Sequence, residues 1–403
     1  MVSLETAEIV EGGRVVLGAT RNRPLVTTTT GGLPRPGWYT ESLSGQAFSV
    51  AMAGRSFREQ YRDLVAGLVA DQYQAGIDVL VDGDARFDDD VAGRQWIAYP
   101  EERLAGLGPP QLRSYPIHQG KQPGEFMYEV METRMPRSVT GKVGPGPLEY
   151  DRIWLTAQAS TDKPVKFGAI SAQLLEASIN NDFYRDRRRL VMDLSEIMNE
   201  EYHRLADAGC PVIQVEEPAI HGIAGTEPGT MLDAGFYVEA FNREVAGLRD
   251  KTEVWCHTCW GSPGSQRTRS QQFSYEAALP FLNELDVDVL TFEAKETSGE
   301  EIPMIAAGIG SGKKIALGVV SHRTLQIEPP EEVANLVRSA LDYISPERLI
   351  LSTDCGFGRQ GMSRMHAFYK MVSLVRGVNL VRAELGLEEA DVPAASPRLP
   401  MLD

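Results

Sequence analysis

Short β-rich runs alternate with amphipathic helical patterns from about residue 25 to residue 385, the signature of parallel strands joined by crossover helices. Eight runs stand out: LVTTTTGG (25–32), IDVLVDGD (77–84), VKFGAISA (165–172), VIQVEEP (212–218), EVWCHTC (253–259), VDVLTFEA (287–294), KIALGVVSH (314–322) and LILSTDCG (349–356). Between them, Leu64, Val65, Leu68 and Val69 recur at helical spacing, as do Leu190, Leu194, Ile197 and Leu205, and Val333, Leu336, Val337 and Leu341. Eight strand-and-helix units predict an α/β fold, a closed (β/α)8 barrel of the TIM type. Nearly every run is apolar at its start and polar or reactive at its end: Asp84, Glu216 with Glu217, His257 with Cys259, Glu293, His322, and Asp354 with Cys355. In such a barrel these ends share one rim, where enzymes of this architecture build their sites.

The organisation expected is an N-terminal extension (1–24), a barrel (25–385) and a C-terminal tail (386–403). Residues 85–164, rich in Pro, Gly and aromatics, form a large insertion between strands two and three. A connection of that length has its own structure or works as a lid, so it is placed over the barrel mouth. The tail DVPAASPRLPMLD reads as a poorly ordered or interface-seeking end, which leaves a homo-oligomer open. GIGSGKK (308–314) has the wrong spacing for a phosphate loop and is taken as a turn before strand seven.

Composition narrows the function. With 40 Lys and Arg against 56 Asp and Glu, the net charge of −16 repels phosphate backbones and anionic lipid. Nucleic acid and membrane partners are excluded on that ground. No apolar run approaches the ~20 residues of a membrane span and no signal peptide is visible, so a cytoplasmic location is expected. Four cysteines in 403 residues make no disulfide framework, and a reducing compartment favours thiols used for metal or catalysis.

Within EVWCHTC, strand alternation sets Trp255, His257 and Cys259 on one face and Cys256 on the other. His257 and Cys259 can offer a nitrogen and a thiolate to one ion, the mixed set that zinc takes tetrahedrally. Glu293, 34 positions beyond Cys259, and Cys355, 62 beyond Glu293, stand on the same inferred rim and complete four ligands. Cys210 and Cys256 are expected to be small buried hydrophobes, and His118, His203, His221 and His366, without comparable company, to be structural. Strand alternation points Glu217 away from the interior, toward packing, capping or ion pairing. Asp88, Asp89 and Asp90 read as solvated loop or helix start.

The motifs TTTTGGLPRPGWY, DVLVDGDARFDDD, TDKPVKFGAI, VIQVEEPAIHG, HTC, FEA and DCGFG, in this order along nearly the whole chain, resemble the catalytic half of cobalamin-independent methionine synthase, a zinc enzyme on an eight-fold barrel. The resemblance implies that His257, Cys259, Glu293 and Cys355 bind zinc, with Glu293 the ligand an incoming thiol displaces. It implies homocysteine as the thiol, its amino group held by Asp84 and Glu216 and its carboxylate met by Thr30, Gly31 and Gly32. His322 then assists proton transfer, or else it orients Asp354 or a zinc ligand. Asp84 and Glu216 also admit a reading as structural ion pairs. Asn181 and Asp182 either line the second-substrate pocket or cap the Arg-rich helix that follows.

Three departures from the family pattern matter. The full-length synthase carries a further N-terminal barrel, whereas about 24 residues precede the first strand here. The amino-holding acids are Asp84 then Glu216, where the family has glutamate then aspartate. The pterin-stacking tryptophan has no counterpart in QLLEASINND, where Glu176 stands. The expected activity is therefore transfer of a methyl or other alkyl group to a zinc-activated thiol, from a donor other than polyglutamyl folate, with a corrinoid protein a candidate partner. Thiol addition to an epoxide, with Arg323 or Lys295 binding an anionic thiol, is the second enzymatic reading. A zinc-thiolate sensor without turnover is the third.

Overall fold

The computed structural model describes residues 9–11, 14–88, 99–110, 137–224, 232–260, 274–358 and 362–395. His118, Asp89 and Asp90, singled out in the sequence, lie outside the described residues. The eight predicted runs form one parallel sheet. Its strands are β1 (Val26–Thr27), β2 (Leu80–Val81), β3 (Val165–Ile170), β4 (Val212–Glu216), β5 (Glu253–His257), β6 (Val289–Glu293), β7 (Lys314–Val320) and β8 (Leu349–Thr353). In space the order runs β1, β8, β7, β6, β5, β4, β3, β2, so the sheet curls until its first and last strands meet. Thr28 and Val79 form a parallel bridge across that seam, and the Val79 amide donates to the Thr27 carbonyl at 3.0 Å. Asp78 reinforces it: one carboxylate oxygen accepts from the Thr27 amide at 2.8 Å and from Arg382 at 2.6 Å.

A helix follows each strand: α1 (Arg55–Gln74), α2 (Tyr150–Gln158), α3 (Arg187–Asp207), α4 (Ala234–Glu244), α5 (Leu279–Asn283), α6 (Ile302–Gly308), α7 (Pro330–Leu341) and α8 (Arg364–Glu384). The apolar stripes read from the sequence are the faces these helices bury, among them Leu64, Val65, Leu68 and Val69 of α1 and Leu190, Leu194, Ile197 and Leu205 of α3. Strand alternation divides the core in two. Outward residues such as Ile213, Val254, Leu290 and Leu349 pack beneath the helices, while Val26, Val79, Val212, Trp255, Val289, Ala316 and Ile350 fill the barrel interior with Ala19 below them. β3 is the one barrel strand missing from that apolar layer, and its inward residue at this level is Lys166, opposite Val212 by extension of the β3–β4 register.

Before α2, strands Ala105–Pro110 and Arg137–Gly144 pair antiparallel, and the second pairs parallel with Asn180–Asn181. This small sheet joins the segment between β2 and β3 to the loop after β3. Asp88, the one described residue of the acidic run, is not solvated as composition suggested: it is buried, accepts from Arg103 at 2.7 and 2.9 Å and from the Gly45 amide at 2.8 Å. Sequence neighbours alone could not show that Arg103 would stand across from it. The GIGSGKK segment is the expected turn, closed by Lys313 N–H to the Gly310 carbonyl at 3.1 Å. Among the described residues no helix is long and apolar enough to cross a membrane.

Candidate metal centre and active site

β5 delivers His257 and, just past its end, Cys259; the turn after β8 delivers Cys355. The ligating atoms of these three side chains lie within 4.8 Å of one another. His257 is held by its neighbour on β6. Thr291 stands directly opposite it in the ladder, and its Oγ1 lies 2.6 Å from His257 Nδ1. Nε2 is buried and makes no hydrogen bond among the described residues, with Glu216 Oε2 at 3.5 Å. Burial, aided by the positive charge of Lys166 and by His221, pulls the His257 pKa down to about 3. The imidazole is therefore neutral at physiological pH. In the tautomer that donates Nδ1–H to Thr291, its Nε2 lone pair is free for a cation, the state a metal ligand requires.

Cys259 and Cys355 crowd each other. The hydrogen bond between them, then burial, then the charges of Cys355 and Glu293, drive the Cys259 thiol well above the ordinary range. Two thiols and an orphaned imidazole nitrogen, closely spaced and mostly buried, are a donor set that a soft or borderline divalent cation satisfies and that water alone does not. Cys355 owes its place to a backbone contact. Gly31, at φ +68°, has Gly356 Cα only 3.0 Å from where its Cβ would be. The Gly32 carbonyl accepts the amides of Phe357 and Gly358 at 2.8 and 2.9 Å. On its other flank Leu33 N–H donates to the Gly83 carbonyl at 3.0 Å. The TTTTGG turn thus ties the β8 turn to the β2 turn, and only glycine fits where two backbones meet this closely.

The fourth sequence-predicted ligand stands differently. Glu293 groups with His322 and Asp354, again within 4.8 Å of one another, rather than with His257, Cys259 and Cys355. Its Oε2 accepts from Arg323 at 2.9 Å and its Oε1 from the Trp260 amide at 2.8 Å. Burial raises its pKa while Arg323 pulls the other way. Asp354 takes the Ala294 and Lys295 amides on Oδ1, at 3.0 and 3.1 Å, and its Oδ2 is buried without a hydrogen-bond partner among the described residues. Burial first, then the Glu293 charge, push its pKa well above the carboxylate range. His322 is fully buried between these acids.

Asp84 and Glu216 face the interior from β2 and β4. Asp84, in left-handed backbone at φ +51°, lies 3.1 Å from the buried Arg86 through Oδ1. Arg86 also meets Asp82 at 3.4 Å, donates to the Gly168 carbonyl at 2.6 Å and lies over the Phe167 ring. Glu216 Oε1 accepts from Gln214 Nε2 at 2.7 Å. Thr30 is buried and bonded to β8, its amide to Thr353 Oγ1 at 3.0 Å and its hydroxyl to Ser352 Oγ at 2.7 Å. Asn181 closes a local turn, accepting from the Tyr184 amide and donating to the Tyr184 carbonyl, both at 2.8 Å. Asp182 is exposed, its amide bonded to the Val139 carbonyl. The cap of α3 is neither of these but Asp186, which accepts from the Arg188 amide at 2.9 Å. Glu217 points outward as alternation requires and caps the Ala219–Ala224 turn of helix through the amides of Ala219 and Ile220, at 2.7 and 3.0 Å. Cys210 and Cys256 are wholly buried.

Several residues around the site have no site role in the sequence reading. His221, taken as structural, reaches into it: Nε2 lies 2.7 Å from the Cys259 carbonyl and the ring meets Trp260 edge-on at 4.5 Å. Burial pulls its pKa down to about 4, so it donates as a neutral imidazole and fixes the backbone that carries Cys259. Lys166 lies inside the barrel, and burial against the attraction of Glu216 and Asp84 brings its pKa down to about 7. A lysine in the middle of VKFGAI, an otherwise apolar strand, was the available clue. Glu176, at the place expected for the pterin-stacking tryptophan, is buried in a two-pronged pair with Arg187 at 2.7 and 2.8 Å.

The sequence profile of the cobalamin-independent synthase catalytic domain matches residues 127–376, more than half of the chain. The chain belongs to this family. Among its relatives, the methionine synthase of Saccharolobus solfataricus is 29% identical over 364 residues, covering 90% of this chain and 96% of that protein. The methionine synthase of Sulfurisphaera tokodaii is 28% identical over 365 residues, covering 90% and 94%. Among solved structures, a B12-independent methionine synthase from Shewanella sp. W3-18-1 in complex with selenomethionine superposes with a TM-score of 0.70 at 24% identity, covering 90% of this chain and 99% of that one. A putative vitamin-B12-independent methionine synthase from Listeria monocytogenes gives 0.64 at 15%, covering 89% and 98%. These two establish the barrel fold. The chain spans nearly the whole length of both the Saccharolobus solfataricus and the Sulfurisphaera tokodaii methionine synthases.

Proposed function

We propose that the protein is a zinc-dependent methyltransferase acting on a thiol, with homocysteine as acceptor. The observation that carries this is the convergence of His257, Cys259 and Cys355 around one point with an orphaned imidazole nitrogen among them. His257 Nε2 and the two sulfurs would hold the ion, and Glu293, one strand away on Arg323, is the group placed to exchange with a substrate sulfur. When bound, zinc lowers the pKa of a coordinated thiol and keeps it as a nucleophilic thiolate at neutral pH. Around it, Glu216 and Asp84 receive the acceptor's ammonium. Asp84 Oδ1 is engaged by Arg86, and its other carboxylate oxygen, Oδ2, flanks Gly32. The backbone at Thr30, Gly31 and Gly32 receives its carboxylate. His322, buried against Asp354 and Glu293, serves proton transfer at the site: it can take up the proton the acceptor thiol releases, and it would act as an acid only for a folate or epoxide donor, because a corrinoid leaving as Co(I) takes no proton. Three converging ligands leave a position for substrate, as catalytic rather than structural zinc requires.

The pairing of Glu176 with Arg187 supports a donor other than polyglutamyl folate, and a methylated corrinoid, free or on a carrier protein, is the donor class to test first. The epoxide reading called for a cationic pocket, but Arg323 is taken by Glu293 and Lys295 by Glu332. The site chemistry and the cysteine usage fit a reducing cytoplasm. The test is product mass from homocysteine with methylated corrinoid, methylfolate and epoxide donors, alongside metal analysis. Methionine formation by zinc-loaded protein is expected, with Cys259→Ser and Cys355→Ser losing both metal and turnover. Full zinc retention by those variants, or alkylation only from an epoxide, overturns the reading.

A further inference from the structure

Lys166 is a cation inside a barrel whose other strands contribute apolar side chains at the same level. It is 1% exposed, and its Nζ lies 4.6 Å from the centre of the Trp255 ring. Nζ donates to the Thr29 carbonyl at 3.0 Å and to Gln214 Oε1 at 2.6 Å. The other end of that amide, Gln214 Nε2, donates to Glu216 Oε1 at 2.7 Å. The chain of contacts therefore runs from the barrel interior to the carboxylate below the mouth.

The chemistry of the three groups allows one arrangement. In its protonated form Lys166 only donates, and the Glu216 carboxylate only accepts, whereas an amide does one at each end. Gln214 between them must turn its oxygen to Lys166 and its nitrogen to Glu216. The flipped amide would set NH2 against NH3+ and C=O against a carboxylate, two repulsions in place of two hydrogen bonds. Without the lysine only the Glu216 end still distinguishes the two orientations, and the amide oxygen loses the donor that anchors it, because an apolar side chain neither donates to nor repels it. We propose that Lys166 is a positioning residue: through the Gln214 amide it fixes the orientation of Glu216, and so sets how well the protein binds the amino group of its thiol substrate. The part that concerns substrate rests on the function proposed above; the part that concerns Glu216 does not.

The test therefore has two arms, both using the full chain loaded with zinc. Lys166→Met keeps the aliphatic length and removes the donor; Gln214→Leu breaks the same link at its middle, and serves if the first variant does not fold. Crystal structures of wild type and variants should show the Glu216 carboxylate turned from its wild-type direction in both. A Glu216 that stays in place overturns the proposal, whatever the enzyme's reaction. In the kinetic arm, the Michaelis constant for homocysteine should rise roughly tenfold, the scale of one lost charge-oriented hydrogen bond, while that for 4-mercaptobutanoate, which lacks the amino group, stays within about twofold. The double variant should cost no more than the larger single one, since both cut one path. Equal losses for the two thiols, or additive losses, overturn it. Wild type that alkylates neither thiol, with Glu216 still turning in the variants, refutes the proposed function and leaves the positioning role standing.

Discussion

Removing the Thr291 hydroxyl should weaken metal binding without touching a ligand. Thr291 is buried, faces His257 directly across the β5–β6 ladder and places Oγ1 2.6 Å from Nδ1. Its backbone carbonyl separately receives the Thr258 amide and hydroxyl, at 3.3 and 2.5 Å, so a change confined to the side chain spares the strand. In Thr291→Val the Nδ1–H is left buried without an acceptor, which costs about 1–3 kcal/mol in the metal-free protein. The imidazole also loses the partner that fixes its tautomer and angle, an effect of about 10- to 100-fold in metal affinity for comparable histidine ligands. That corresponds to about 1.4–2.7 kcal/mol. The assay is competition for zinc against a chromophoric chelator, paired with urea unfolding of the metal-free protein. Thr291→Ser, which keeps the hydroxyl, should retain affinity within a few fold. Because burial holds His257 neutral, with a pKa near 3, the affinity ratio between Thr291→Val and wild type should be flat from about pH 6 to about pH 8. A Thr291→Val protein that loses stability yet binds zinc within twofold of wild type would refute the claim that this hydroxyl prepares the ligand.

Other consequences are open to direct measurement. A Cβ at Gly318 would lie 2.5 Å from Asp354 Cα and 2.8 Å from its amide nitrogen, so Gly318→Ala must part β7 from β8; a loss of ~1–3 kcal/mol or more and reduced zinc content are expected from denaturation and metal analysis. Arg86→Met leaves the carboxylates of Asp82 and Asp84 buried without their shared cation, and a drop of about 3–5 kcal/mol should appear as a lower urea midpoint. Glu244, fully buried and hydrogen-bonded to the Ala172 amide and Tyr202, is pushed up to about 8 by burial. Its folded pKa exceeds its unfolded one, so its contribution is fully present below about pH 4.5 and is lost as pH rises toward about 8. Glu244→Gln should therefore flatten the decline in urea midpoint between about pH 5 and about pH 8, and an unchanged slope would show that Glu244 is not its source.

The periodicity of the chain was enough to place all eight strands and the principal helices, because a half-apolar segment can bury itself in few ways and a repeated strand–helix order closes in one. Two-residue alternation put His257 and Cys259 on one face, sent Glu217 to the other and assigned Cys256 to the core. The strand ends 84, 216, 257, 293, 322 and 354 share a rim because the eight strands run parallel. What alternation could not supply was how far each side chain stands from the next. Glu293 shares the rim with His257, Cys259 and Cys355 but is drawn to Arg323, thirty positions on. His221 reads as isolated until the loop after β5 brings the Cys259 carbonyl to it. Arg86 looks like an ordinary charge in sequence and Lys166 is marked only by its apolar neighbours, yet each is buried because carboxylates, carbonyls and aromatic faces from separate strands surround it. Strand and helix patterns are fixed by the few residues nearest in the chain. The partner of a buried charge is fixed by closure of the barrel, which joins residues that sequence keeps far apart.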